Sequence, residues 1–170
     1  MTWSDRSRRF IGVAGACAVL PLAGLTAPDR ADGTRVPLAD MAHRAADGKT
    51  LYARCVACHQ ATGVGIPSAF PPLAGSEFVI GKPEVPIAIL LHGLQGEVTV
   101  KGAKYNGVMM PYGTGQAMTD QEIADVVSYI RTNFGNKATP VTVKDVAAAK
   151  AKHAARKKPF TEAELRALMK

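Results

Sequence analysis

Apolar residues fall along this chain in several distinct patterns. The first is a nearly unbroken run, "IGVAGACAVLPLAGL", preceded by the basic stretch "MTWSDRSRRF". A run of roughly 15 residues is short for a membrane-spanning helix and suits the apolar region of an export signal. Residues 1–27 therefore read as a signal peptide. An uncleaved N-terminal anchor is the alternative, because Pro28 directly follows the small residue Ala27. Residues 28–42 carry Pro, Asp and Gly and read as a linker. From about Asp47 the pattern becomes helical: in "DGKTLYARCVACHQ", Leu51, Tyr52 and Cys55 share one face of a short helix. "KPEVPIAILLHGLQG" predicts a helix from near Pro83 to Gly93 or Gly96. The clearest helix is "MTDQEIADVVSYIRTNFG". Ile123, Val126, Val127, Ile130 and Phe134 recur on one face, Thr119 caps it with Glu122 completing a capping box, and Gly135 stops it. "ATGVGIPSAFPPLAGS" and "EVTVKGAKYNGVMMPYGTG" read as loops, with turns at Asn106-Gly107 and Tyr112-Gly113. After Asn136 the chain turns to Ala and Lys. A basic helix is expected around 144–157, and a second short one from Thr161, where "TEAE" forms another capping box.

Composition sharpens this. The 170 residues allow one ordinary domain with extras. With 16 Gly, 11 Pro and a single Trp, the chain has little with which to build a core, so a bound cofactor or cross-link is expected. The net charge of +7 is uneven: residues 31–136 are near neutral at −1, and residues 137–170 carry +6. Such a tail can attract nucleic acid, anionic lipid or an acidic partner, but a solvated tail is the commoner outcome. Nucleic acid is not expected here.

Cys17 would leave with the signal, so the exported chain keeps Cys55 and Cys58, followed at once by His59. Three chemistries use such a motif. Structural zinc needs four ligands, and no second ligand pair is present. A redox dithiol expects a strand leading into the motif, and no β-branched run precedes Cys55. Covalent haem attachment asks for the motif as it stands. Each thiol adds to one porphyrin vinyl group, and the adjacent histidine becomes the proximal ligand. This reading requires a second axial ligand downstream, and "GVMMPYG" offers Met110 beside Pro111, with Met109 as the alternative. Met118 is disfavoured because it opens a helix.

With these motifs in order, residues 43–135 resemble a class I c-type cytochrome. The resemblance implies an all-α fold of 3–5 helices around one haem c, held covalently through Cys55 and Cys58, with His59 and Met110 as axial ligands. It places the haem domain at residues 43–136. The basic helical extension, 137–170, departs from the family pattern. It also implies that Gly48 and Tyr52 on the first helix meet Tyr129 on the last. A proline carbonyl, Pro71 before Pro72, would accept a hydrogen bond from His59. Tyr105 would either approach the haem edge or a propionate, or simply pack. His92 is expected as a helix C-terminal residue near the dipole.

The stretch "AILLHGLQGEVTVKGAKYNGVMMP" is similar to cytochrome subunits of periplasmic dehydrogenases and to related oxidase or reductase electron donors. The implied function is a periplasmic electron carrier, not an enzyme. It would pass single electrons from a dehydrogenase or bc1-type donor to an oxidase or reductase, with membrane association through the N-terminal anchor or the basic tail. A fixed haem c subunit of a dehydrogenase or reductase complex is the alternative. A haem peroxidase or gas sensor with an open or displaceable sixth position is a third reading, and no strong distal acid–base residue stands out for it.

Overall fold

The first described helix begins sooner than the apolar pattern announces. A computed structural model describes residues 38–112 and 117–170. The signal or anchor at residues 1–27 and most of the linker lie outside them. Helix α1 spans Leu38–Tyr52, so the last part of the supposed linker is helical. Residues 38–46 include four alanines, whose intrinsic helix preference needs no apolar stripe to announce it. A 3-10 turn, Ala53–Cys55, and the single-turn helix α2, Val56–His59, continue the chain through the cysteine motif. Then follow α3 (Glu77–Ile80), α4 (Glu84–His92), the strands β1 (Val98–Val100) and β2 (Ala103–Tyr105), α5 (Asp120–Thr132), α6 (Val143–Lys152) and α7 (Glu162–Met169). The chain is mostly helical. No helix among the described residues is long and apolar enough to cross a membrane.

Helices α1 and α5 cross at Gly48. A Cβ there would stand 2.4 Å from the Asp125 carbonyl oxygen and 2.8 Å from the Tyr129 Cβ. The absent side chain lets the two backbones touch. Around the crossing Tyr52, Tyr129 and Phe134 stack ring against ring, with centroids 5.0–5.7 Å apart. Arg44 on α1 bonds to buried Asp125 on α5 at 2.8 Å. A glycine inside a helix normally costs about 1 kcal/mol relative to alanine, so Gly48→Ala would stabilise an unobstructed helix. Here the sign is expected to reverse, with a loss of roughly 2 kcal/mol as the helices are forced apart. Urea denaturation of the two proteins checks this, and a raised midpoint for Gly48→Ala would refute the crossing.

Helix α5 carries the expected Thr119–Glu122 capping box. Its apolar face buries Ile123, Val126 and Val127 against Ile87, Leu90 and Leu91 of α4. Phe134 lies past the helix end in a left-handed conformation (φ +58°).

A hairpin stands where the sequence pattern predicts only loop. Val98 pairs with Tyr105 and Val100 with Ala103, around a two-residue turn with Lys101 and Gly102 both at positive φ. Strands of three residues are too short for alternation to stand out from a glycine-rich loop.

The expected solvated tail is instead part of the core. Val141, Val146 and Ala149 join the cluster around Ile87 and Val126. Phe160 and Leu165 join a second cluster with Phe78, Val85, Leu94 and Val98. Its bases find acids on the body and on the tail itself: Lys150 pairs with Asp120, Lys152 and His153 with Glu84, Arg156 with Glu164 and Arg166 with Glu162. Buried Arg131 of α5 donates to the carbonyls of Val79, Gly81 and Thr139, fixing α3 and the start of the tail to one helix.

Candidate functional site

The cysteine motif is delivered to its place by the α1–α5 crossing. Buried Tyr52 donates its hydroxyl to the Gln60 carbonyl at 2.7 Å, clamping the residue after His59. Cys55 and Cys58 stand one helical turn apart and border a mainly apolar cleft of about 320 Å³, a size typical of ligand sites. Neither is in a disulfide. Burial, with Cys58 adding to it, pushes the Cys55 thiol up to about 11. A reactive thiol is favoured by the opposite shift.

His59 is 8% exposed, and burial holds its imidazole below the usual range, in the neutral form. Its Nδ1 lies 3.0 Å from the Pro71 carbonyl oxygen. A carbonyl only accepts, so Nδ1 carries the proton and Nε2 keeps the lone pair. The same bond fixes the ring's orientation and raises its basicity, as in most metal-ligating histidines.

The other side of the cleft is the methionine loop. Leu94 and Met109 exchange both backbone hydrogen bonds, at 3.0 and 2.9 Å. Gly93 (φ +80°) permits this approach, since a Cβ there would stand 2.5 Å from the Met109 carbonyl. Both methionines border the cleft. Met109 is half-buried and packs against the two core clusters, whereas Met110 is 68% exposed. Successive residues of extended backbone point opposite ways. Met109 is therefore held by core packing, and Met110 points away from that packing.

The Tyr112 hydroxyl donates to the Arg54 carbonyl at 2.9 Å and so ties the end of this loop to the cysteine motif. Sequence reasoning missed Tyr112, and also the wall residues Phe70, Leu94 and Val98. Only proximity in space assigns them. Two thiols, a neutral imidazole and a thioether around one apolar cleft suit a covalently attached haem.

Tyr105 is not among the residues bordering the cleft. It pairs with Val98, a cleft-wall residue, and packs on the cluster containing Phe78 and Phe160. Met118 is buried in the α4–α5 core. His43 pairs with Asp47 on the surface of α1. His92 does end α4, but it is held neutral rather than charged by the helix dipole. Burial lowers its pKa, His153 and Arg156 add to the effect, and its ring lies edge-on to Phe160.

A family model described as cytochrome c matches residues 45–134. Cytochrome c-552 of Thermus thermophilus is 48% identical over 103 residues, covering 58% of this chain and 68% of that protein. The cytochrome c subunit of the quinone alcohol dehydrogenase of Gluconacetobacter polyoxogenes is 38% identical over 99 residues, 57% of this chain but 20% of that subunit. The gluconate 2-dehydrogenase cytochrome c subunit of Pantoea cypripedii is 37% identical over 105 residues, 59% of this chain and 23% of the subunit. The chain thus spans only about a fifth of these larger subunits.

Proposed function

The chain belongs to the cytochrome c family, and from that premise we propose that it is an exported single-electron carrier using His59 and Met110 as axial ligands. Haem c, attached through Cys55 and Cys58, supplies an iron that takes up and returns one electron. The protein's own part is to hold a neutral imidazole with its lone pair free, present a thioether opposite, and surround both with apolar walls. A soft, neutral methionine favours the reduced state, so this pair suits a carrier of relatively high potential. The observation that carries the reading is the apolar cleft bordered at once by Cys55, Cys58, His59 and Met110. His59 and Met110 would hold the iron from the chain itself, which would leave it to exchange electrons and not to bind substrate.

Donor and acceptor would be redox proteins met through small, transient interfaces, in the periplasm. The likeness to dehydrogenase cytochrome subunits supports a second reading, in which the chain works as one module of a quinone-linked dehydrogenase. Absorbance spectra in both oxidation states test the carrier. The ferric form is expected to show the weak near-red methionine–iron band, and the ferrous form to resist carbon monoxide at neutral pH. A missing band, or carbon monoxide bound at once, would overturn it in favour of a sensor or peroxidase.

A further inference from the structure

The Met110 loop is hydrogen-bonded to a segment that the basic tail also holds. Gly93, Leu94 and Gln95 form a short extended stretch between two neighbours. Leu94 exchanges both of its backbone bonds with Met109. On the opposite edge, Phe160 donates its N–H to the Gly93 carbonyl at 3.0 Å and accepts from the Gln95 N–H at 2.9 Å. The result is a three-part ladder, Met109 to Leu94 to Phe160, with bridges of opposite sense on its two edges. Extended backbone directs successive amides to opposite sides, which is why 93–95 can serve both neighbours at once.

Phe160 is itself held firmly. It is 2% exposed in the cluster with Leu94 and Val98, two residues that also wall the cleft. The Arg156 guanidinium stacks on its ring at 3.6 Å and donates to the carbonyls of Lys158 and Pro159 at 2.8 and 3.0 Å. The rings of His92 and His153 stand edge-on to it, 5.9 and 5.3 Å away. This cluster anchors Phe160, and residues 93–95 link Phe160 on one edge to Met109, the residue before the proposed axial methionine, on the other.

We propose that Phe160 is a positioning residue for the axial ligand: the Arg156–Phe160 strap, acting through Leu94, holds the Met110 loop in its ligating conformation. The inference rests on the assignment of Met110 as sixth ligand. Strap and loop form one hydrogen-bonded unit, so loosening the strap raises the fraction of time Met110 is released. An added ligand that binds only the released form then gains apparent affinity in proportion to that fraction.

Imidazole binding to the ferric, haem-loaded full chain reads this directly, because imidazole must displace the methionine. Phe160→Ala is expected to bind imidazole about tenfold more tightly than the parent. Leu165→Ala, in the same apolar cluster but with no bond to residues 93–95, is expected to lower thermal stability and leave imidazole affinity unchanged. As an independent readout, amide exchange of Met109 should accelerate in Phe160→Ala but not in Leu165→Ala. Should Phe160→Ala fail to accumulate, Phe160→Leu takes its place, with about a threefold gain expected. Parental affinity in the Phe160 variant, or the same gain in Leu165→Ala, overturns the strap. Met110→Ala separates failure of the strap from failure of the ligand assignment. If it loses the methionine–iron band while the Phe160 variant matches the parent, only the strap inference fails. If it keeps the band, the ligand assignment fails.

Discussion

The double variant Cys55→Ser/Cys58→Ser is expected to lose all haem stain on a denaturing gel, where the parent retains it. A serine hydroxyl does not add to a vinyl group as a thiol does, so the bonds that survive unfolding cannot form. The thermodynamic consequence is equally large. The cleft is walled by Phe70, Leu94, Val98 and Met109, apolar side chains whose burial depends on what fills the space between them. Apolar burial is worth about 25 cal/mol per Å², and a domain's whole stability is about 5–15 kcal/mol. Several kcal/mol should therefore be lost, and stability should become dependent on added haem, since binding is then governed by mass action. Haem staining and thermal denaturation with and without added haem check both parts. Retained stain in the double variant would mean attachment elsewhere in the chain.

The second large effect is expected at Met110. Met110→Ala removes the thioether and should abolish the near-red band. It should also lower the reduction potential by on the order of 0.1–0.2 V, a fraction of the ≈0.8 V range that axial ligands span. Its neighbour serves as the control. Met109 packs against both core clusters, so Met109→Ala should cost about 2 kcal/mol of stability as a cavity opens while leaving band and potential close to those of the parent. Denaturant titration and potentiometry of the two variants separate the roles. The reverse pattern would make Met109 the ligand and Met110 its support.

Much of this site could be read before any fold was known. A cysteine pair followed by histidine is a local instruction, because one helical turn sets the distance between the thiols. The Met-Pro stretch was equally visible as a soft donor in a loop. Helix α5 declared itself through Thr119, Glu122 and the spacing of Ile123, Val126 and Val127, since capping and amphipathicity are written within a few residues. The choice between Met109 and Met110 was not local. It turns on Gly93 and Leu94, some fifteen residues earlier, which hold the Met109 backbone where its side chain packs against both core clusters. Tyr112 was missed because its role is a bond to the Arg54 carbonyl, 58 residues away.

The tail is the largest difference between reading and structure. Its composition, nine bases to three acids, suggested a solvated arm. Only a few of its apolar residues matter, and they matter because of what they meet. Val141 and Val146 complete the core between α4 and α5, and Phe160 bonds to the strand that holds the methionine loop. The sequence by itself determined the cofactor, its covalent attachment and the helices that bracket it, because those rest on spacings of two to four residues. Only the tertiary structure decided which methionine packs against both core clusters, which tyrosine ties the loop, and that the tail belongs to the body. Each depends on pairings between distant residues, and a local pattern carries no record of its partner.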